Sequence, residues 1–288
     1  DMYSSLEELI TEAEEKNREV WELVLQDDMQ QRGVDRETSF NDTKQLYMTM
    51  KAADEGYEED LSSHSGLVGG DGRKLAVARE KGQLYCGNFI GMVMETAVKM
   101  GESNACMKKI VAAPTAGSCG VMPAVLLSLQ KEKGFSDDQM TEALFVAAGI
   151  GGVIANRAFL AGASGGCQAE IGSASAMAAG AAAYLAGGNA RQIADAAALA
   201  LKGLLGLACD PVAGLVEVPC VKRNVIGSVN ALTSADMAIA GIVSRIPPDE
   251  VIDAMKSIGI CMPGCLKETG TGGLAATPTG EAIREQMA

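Results

Sequence analysis

The chain has 288 residues, with 37 acidic and 24 basic side chains and a formal charge of −13. That balance argues against nucleic-acid binding, which needs a basic face, and eight cysteines in a chain this long are too few for a secreted disulfide framework. Hydrophobic residues make up 48% but aromatics only 4%, so the core must be built from Ala, Gly, Val, Leu, Ile and Met, small side chains that let helix backbones approach closely.

Residues 1–60 hold 18 acidic and 6 basic side chains and read as a peripheral acidic layer of helices. Their charge suits a solvated face that keeps the protein soluble. Ser5 with Glu8 forms a capping-box pattern, after which Leu6, Leu9, Ile10 and Ala13, then Val20, Trp21 and Val24, follow at helical spacing up to Gly33. A second helix is predicted from Arg36 to Glu55, stopped by Gly56. No secretory leader is expected, because residues 1–31 are charged throughout. The longest apolar runs, near 143–155 and 176–187, fall short of the roughly 20 residues a membrane span needs. A cytoplasmic protein without a membrane partner is expected, its thiols reduced and free to hold metal.

The loop 62–72 contains four glycines and His64, the only histidine. It reads as a structural histidine or a proton carrier near neutral pH. Helices are expected over 73–81 and 89–100. The segment 110–120 runs through a polar turn, Thr115-Ala116-Gly117-Ser118, into an apolar helix reaching Leu129. A turn before a helix N-terminus offers free N–H groups and the positive end of the dipole, which suits a carboxylate. Thr115 and Ser118 are therefore candidate substrate-binding residues, with capping by Ser118 as the plain alternative. Ser136 with Gln139 opens a helix to Ala155, and Ala174–Leu185 reads as a buried Ala/Gly/Ser/Met helix. Asn189 caps a helix from Ala190 to Leu205. A further helix should run from about residue 221 to Ile246, and Pro247-Pro248 should restart another to Ile258. The Gly/Thr-rich stretch 268–280 reads as a substrate loop or a chain end. With no clean linker and no internal repeat, residues 1–288 read as one mostly helical domain.

Three cysteines stand out because they lie in Gly- and Pro-rich turns at helix edges: Cys167 in Gly-Gly-Cys-Gln-Ala-Glu, and Cys209 and Cys220 at the two ends of Cys-Asp-Pro-Val-Ala-Gly-Leu-Val-Glu-Val-Pro-Cys. The helical pair between Cys167 and Cys209 can return the chain and bring the two thiols together. Turns can aim three thiolates at one point. Structural zinc and electron-transfer clusters usually take four protein ligands, whereas a cluster held by three leaves one iron free for Lewis-acid chemistry. Lys222 and Arg223 follow Cys220 and could neutralise thiolates or hold an anionic substrate. Of the remaining cysteines, Cys86 and Cys106 read as core, and Cys119 is not taken as a ligand. Cys261 and Cys265 are too few to make a metal site.

These motifs, together with Ala113-Pro114-Thr115-Ala116-Gly117 and Lys222-Arg223-Asn224, resemble the signature of the iron–sulfur L-serine dehydratases, and the resemblance to the alpha subunit of the two-subunit form covers nearly the whole chain. It implies an all-α fold, a compact bundle of small-residue-rich helices whose Gly/Pro-rich loops carry the ligands of a 4Fe–4S cluster, namely Cys167, Cys209 and Cys220. It implies conversion of L-serine to pyruvate and ammonia without pyridoxal phosphate, an open iron binding the serine hydroxyl, and a separate beta subunit as partner. Thr115, Ser118 and Lys222 would then hold the substrate carboxylate. Three rival readings carry their own tests: another open-iron hydro-lyase on a different hydroxy acid, a non-catalytic helical subunit with merely buried cysteines, and an electron-transfer protein, which would need a fourth ligand. An open iron also implies cluster loss on aerobic handling.

The family's base is expected in a Ser-His-Thr stretch of the beta part, and the similar Ser63-His64-Ser65 does not take over that role here. His64→Ala should therefore retain substantial turnover in the reconstituted two-chain enzyme. A loss of several orders of magnitude with the cluster intact would show the opposite.

Overall fold

The computed structural model describes residues 3–287. Among them the regular structure is helical, and the single β-type contact is an isolated parallel bridge between Cys209 and Lys267. No helix is long and apolar enough to cross a membrane. The all-α architecture expected from the sequence is the one observed.

Three helices form the acidic outer layer: α1 (Leu6–Lys16), α2 (Val20–Arg32) and α3 (Arg36–Glu55). The sequence pattern reads α1 and α2 as one continuous helix, but Asn17 takes a left-handed conformation (φ 48°) and splits it. Asn tolerates that region better than most residues because its short polar side chain can hydrogen-bond locally. Asp35 caps α3 by accepting from the Thr38 N–H, and Gly56 ends the helix. Leu6, Leu9, Ile10, Leu23, Val24 and Met50 point inward and join the same hydrophobic core as the rest of the chain.

Next come α4 (Asp71–Glu80), α5 (Gly87–Ala105), α6 (Val121–Lys133) and α7 (Asp137–Arg157), the last opened by a complete Ser136/Gln139 capping box. A four-residue turn of helix, α8 (Gly162–Gly165), and a π-helical turn at Gln168–Gly172 lead into α9 (Ser173–Leu185). Every residue of α9 from Ser173 to Ala183 is buried. Helices α6, α7, α10 (Ala190–Gly203) and α11 (Cys220–Ile239) surround it. Its small side chains allow this: Gly180 meets Ile150 of α7, and Gly227 of α11 meets Ile171 and Val121. The Ser175 hydroxyl donates to the Gly227 carbonyl (2.7 Å), and Asn230 donates to Ser175 and to the Ala200 carbonyl, so these polar groups of α9, α10 and α11 satisfy one another.

Helix α11 stops at Ile239, short of the expected Ile246. The following Gly241 adopts φ 91°, a conformation open to glycine, and Ile242, Val243 and Ile246 are left exposed. Pro248 then starts α12 (Pro248–Cys261), and α13 (Pro278–Met287) closes the chain. The Gly/Thr-rich stretch between them is ordered: the Leu274 N–H donates to Asp210 Oδ2 (2.8 Å), folding it onto the loop after Cys209.

Close helix approach carries a testable consequence at Gly120, the residue before α6. A Cβ there would stand 2.6 Å from the Ala97 carbonyl oxygen of α5 and 3.1 Å from Asn224 of α11. Because backbone is in the way, Gly120→Ala should destabilise the protein by about 1–3 kcal/mol, read as a lower urea midpoint at unchanged slope.

Candidate active site

Each of the three singled-out cysteines is placed by backbone bonds that reach far along the chain. Cys167 sits at the start of the π-helical turn, next to Gln168, which is fully buried. The Gln168 N–H donates to the Leu207 carbonyl, its side-chain amide donates to the carbonyls of Gly165 and Met255, and its amide oxygen accepts from the Gly206 N–H. One side chain thus ties the Cys167 turn to the segment before Cys209 and to α12. Cys209 lies on an extended strand-like residue: its N–H donates to the Leu266 carbonyl and its carbonyl accepts from the Glu268 N–H, both at 2.9 Å. Cys220 is the first residue of α11. Asn224, one turn later, accepts from the Gly120 N–H and donates to the carbonyls of Cys220 and Gly117, joining the Cys220 helix to the Thr115 turn.

Cys167 and Cys209 are buried and Cys220 is half-buried, and Cys209 and Cys220 both feel the charge of Cys167. Burial pushes Cys167 up to about 11, with the Arg223 charge beside it pulling the other way. Burial, then the neighbouring Cys167 and Glu170, push Cys220 up to about 12. Cys209 is raised further, by burial first and then by Cys167, Glu170, Glu268 and Cys220 around it. Arg223 donates to the Ala208 carbonyl and pairs with Asp210 at 2.9 Å, so one cation serves several negative groups. Three thiolates here require added positive charge, which a metal supplies.

The donor set also says what kind of metal group fits. The compact set found among the described residues, with every ligand atom within 4.8 Å of the others, is Glu170, Cys209 and Glu268; the three cysteines do not form such a set. Sulfurs that share one ion must crowd it, whereas sulfurs that each bind a different iron of a cluster stand further apart. By donor chemistry alone, three soft thiols would suit a group whose irons are bound one apiece. Space beside them is kept by Gly162, where a Cβ would run into Cys209 Sγ and Glu170 Oε1.

Thr115 and Ser118 belong to the same site. Thr115 donates its hydroxyl to Glu170 Oε2 at 2.7 Å and lies 3.0 Å from the Ser118 hydroxyl, which is buried inside the turn and does not cap α6. The backbone N–H groups of Ala116, Gly117 and Ser118 donate to no described protein group. Glu170 is held from its other side by the Gly162 N–H (2.8 Å), and burial raises its pKa. Lys222 is not brought to this group: it is exposed, with its amine on Asp71 Oδ2 at 2.6 Å. His64 is exposed, while its neighbours Ser63 and Ser65 both donate to the buried Glu217, three residues before Cys220. An apolar cavity of ≈ 330 Å³ lined by residues of α2, α3 and α7 has no thiol in its wall and meets this region through residues 111–114.

With this geometry in view, the comparisons with known proteins are decisive. The family model described as serine dehydratase alpha chain matches residues 15–275. The chain belongs to that family. It is 46% identical over 286 residues to a Bacillus subtilis protein named a probable L-serine dehydratase alpha chain, covering 99% of this chain and 95% of that one. Identity to the L-serine dehydratase alpha chain of Peptoniphilus asaccharolyticus is 39% over 287 residues, 99% and 98% of the two chains. The longer L-serine dehydratase of Mycobacterium bovis is 43% identical over 184 residues, which make up 62% of this chain and 40% of that one.

Within this alpha chain, sequence reasoning passed over Glu170 and Glu268 as site residues. Glu170 stands inside the quoted Cys167 motif, three residues on, and that spacing was the available signal. Glu268 had none, since only the pairing of Cys209 with Lys267 brings it in. The expectation that Cys86 and Cys106 are core fails for Cys86, which is exposed, as are Cys261 and Cys265; Cys106 is half-buried. Cys119 is buried, its thiol directed at the Met100 carbonyl and pushed up to about 12 by burial.

These differences predict an alkylation order in metal-free protein. At about pH 8 a thiol reagent should modify Cys86, Cys261 and Cys265 first and Cys119 last, as read by mass spectrometry of quenched samples. Gln168→Ala, which strands three buried backbone groups, should lose roughly 2–3 kcal/mol of stability and speed modification of Cys167 relative to Cys119. Unchanged protection of Cys167 would show that the amide does not hold its turn.

Proposed function

We propose that this chain is the alpha subunit of an L-serine dehydratase, an L-serine ammonia-lyase that forms pyruvate and ammonia. Cys167, Cys209 and Cys220 would hold a 4Fe–4S cluster, and a separate beta subunit would complete the enzyme in the cytoplasm. What supports this reading is a chain of the serine dehydratase alpha family in which Cys209 and Cys220 each stand close enough to Cys167 to feel its charge. That this chain spans 40% of a longer relative named simply L-serine dehydratase supports a second part elsewhere.

β-Elimination from serine faces a poor leaving group, hydroxide, and a weakly acidic α-hydrogen. Bound by the three thiolates, the cluster would supply Lewis-acid assistance to hydroxide departure. The remaining tasks belong to protein groups. The free N–H groups of Ala116, Gly117 and Ser118, at the turn before α6, suit the substrate carboxylate. Thr115 and Ser118 shape that turn, and Lys222, committed to Asp71, stands outside it. Holding the carboxylate there fixes the α-carbon toward the base, which the beta subunit would contribute. Loss of the α-proton and hydroxide gives 2-aminoacrylate and water, and its imine tautomer hydrolyses to pyruvate and ammonia.

The test is anaerobic reconstitution with iron and sulfide, followed by EPR of the reduced protein with and without L-serine. Wild type should give a 4Fe–4S signal that changes with serine, and Cys167→Ala, Cys209→Ala and Cys220→Ala should each lose it. Wild type that assembles no cluster, or variants that assemble it normally, would overturn the ligand assignment and the mechanism with it.

A further inference from the structure

We propose that Glu170 and Glu268 together bind the α-ammonium group of the substrate, and so make the enzyme select an amino acid over a hydroxy acid. The inference rests on the serine dehydratase reading above. Both carboxylates lie within 4.8 Å of each other and of Cys209 Sγ. Neither takes part in an ion pair among the described residues, and Arg223 is committed to Asp210 and the Ala208 carbonyl. Cys209 is 6% exposed, and its sulfur has no hydrogen-bond partner of its own among the described residues. Two adjacent carboxylates with no cationic partner leave a place for a cation.

The carboxylates are held in this arrangement from several directions. Glu170 keeps its pose through the Gly162 N–H on Oε1 and the Thr115 hydroxyl on Oε2, and each oxygen retains a further lone pair. Glu268 adopts a left-handed backbone (φ 62°), a conformation that disfavours a residue with a side chain, and the bond from its N–H to the Cys209 carbonyl holds it there. The pairing of Cys209 with Lys267 brings the second carboxylate in, and the left-handed backbone at Glu268 accompanies it.

The groups next to the pair give the ligand its second half. A Cβ on Gly117 would stand 2.7 Å from Glu170 Oε2, so the turn of free N–H groups at Ala116, Gly117 and Ser118 lies directly against the Glu170 carboxylate. Donors for an anion therefore border acceptors for a cation. In an α-amino acid the carboxylate and the ammonium sit on the same carbon and need such adjoining sites. A hydroxy acid without the amine would leave the two carboxylates facing each other uncompensated.

The test uses the reconstituted two-chain holoenzyme with Glu170→Gln, Glu268→Gln and the double variant. The readouts are KM and kcat for L-serine, iron and sulfide content, and the affinity of 3-hydroxypropanoate, which keeps the carbon chain, hydroxyl and carboxylate of serine but lacks the amine. Each single variant should raise KM for L-serine roughly 10–100-fold, as expected for loss of a charged hydrogen bond, with kcat changed far less and cluster content unchanged. Affinity for 3-hydroxypropanoate should stay the same or rise. A fall in iron content would make Glu170 a metal ligand instead. Loss of kcat at unchanged KM would make it a proton carrier, and equal weakening of both compounds would make its role purely structural. Any of these overturns the proposal, and because Glu268 is exposed its variant keeps the test open if Glu170→Gln folds poorly. Turnover of serine by wild type is scored separately: its absence removes the parent reading, whereas the variants bear on the ammonium site alone.

Discussion

Three thiols and a carboxylate, buried or half-buried near one another, raise each other's cost of ionisation, and positive charge beside them relieves it. That constraint explains features spread over much of the chain. Burial raises Cys167, Cys209, Cys220 and Glu170 together. One guanidinium, Arg223, is placed beside Cys167 and Cys220 at the start of α11. Hydrogen bonds from neutral donors, the Thr115 hydroxyl and the Gly162 N–H, fix Glu170 without neutralising it. A site organised this way is unstable by itself and is completed by what it binds, which is the usual trade of stability for function.

The helical frame supplies the rigidity that such a site needs. Helix α9 is buried along almost its full length because its side chains are small, and four helices close on it. The ligand-bearing turns emerge from the ends of these packed elements: Cys167 just before α9, Cys209 after α10, Cys220 at the start of α11. Buried amides then tie them to one another: Gln168 links the Cys167 and Cys209 segments, and Asn224 links Cys220 to the Thr115 turn.

Local signals made much of this legible in the sequence. Asp35 and Gly56 bracket α3, and the capping boxes at Ser136 and Asn189 open α7 and α10 where the pattern placed them. The three cysteines were recognisable because they sit in Gly/Pro-rich turns within long motifs. What escaped were features decided by contacts between distant residues or by one residue's backbone. Asn17 breaks a helix that the hydrophobic stripe carries through. Gly241 ends α11 although apolar residues continue to Ile246. Lys222 looked like a site residue from its place after Cys220, but Asp71, 151 positions away, takes its amine. Glu268 enters the site solely through the pairing of its neighbour with Cys209.

That pairing bears on the order of events during synthesis. Cys209 is held by Leu266 and Glu268, far along the chain from it, while Cys167 and its Gln168 clasp involve Met255. A ribosome-bound chain that has delivered all three cysteines still lacks the segments that orient two of them. The thiol site can take its final shape only when residue 268 has left the ribosome, so loading of a cofactor into a formed site follows synthesis of the segment some sixty residues beyond Cys209. Between those moments the thiols are present without the backbone that buries them, an interval in which a maturation factor or a reducing environment would have to protect them.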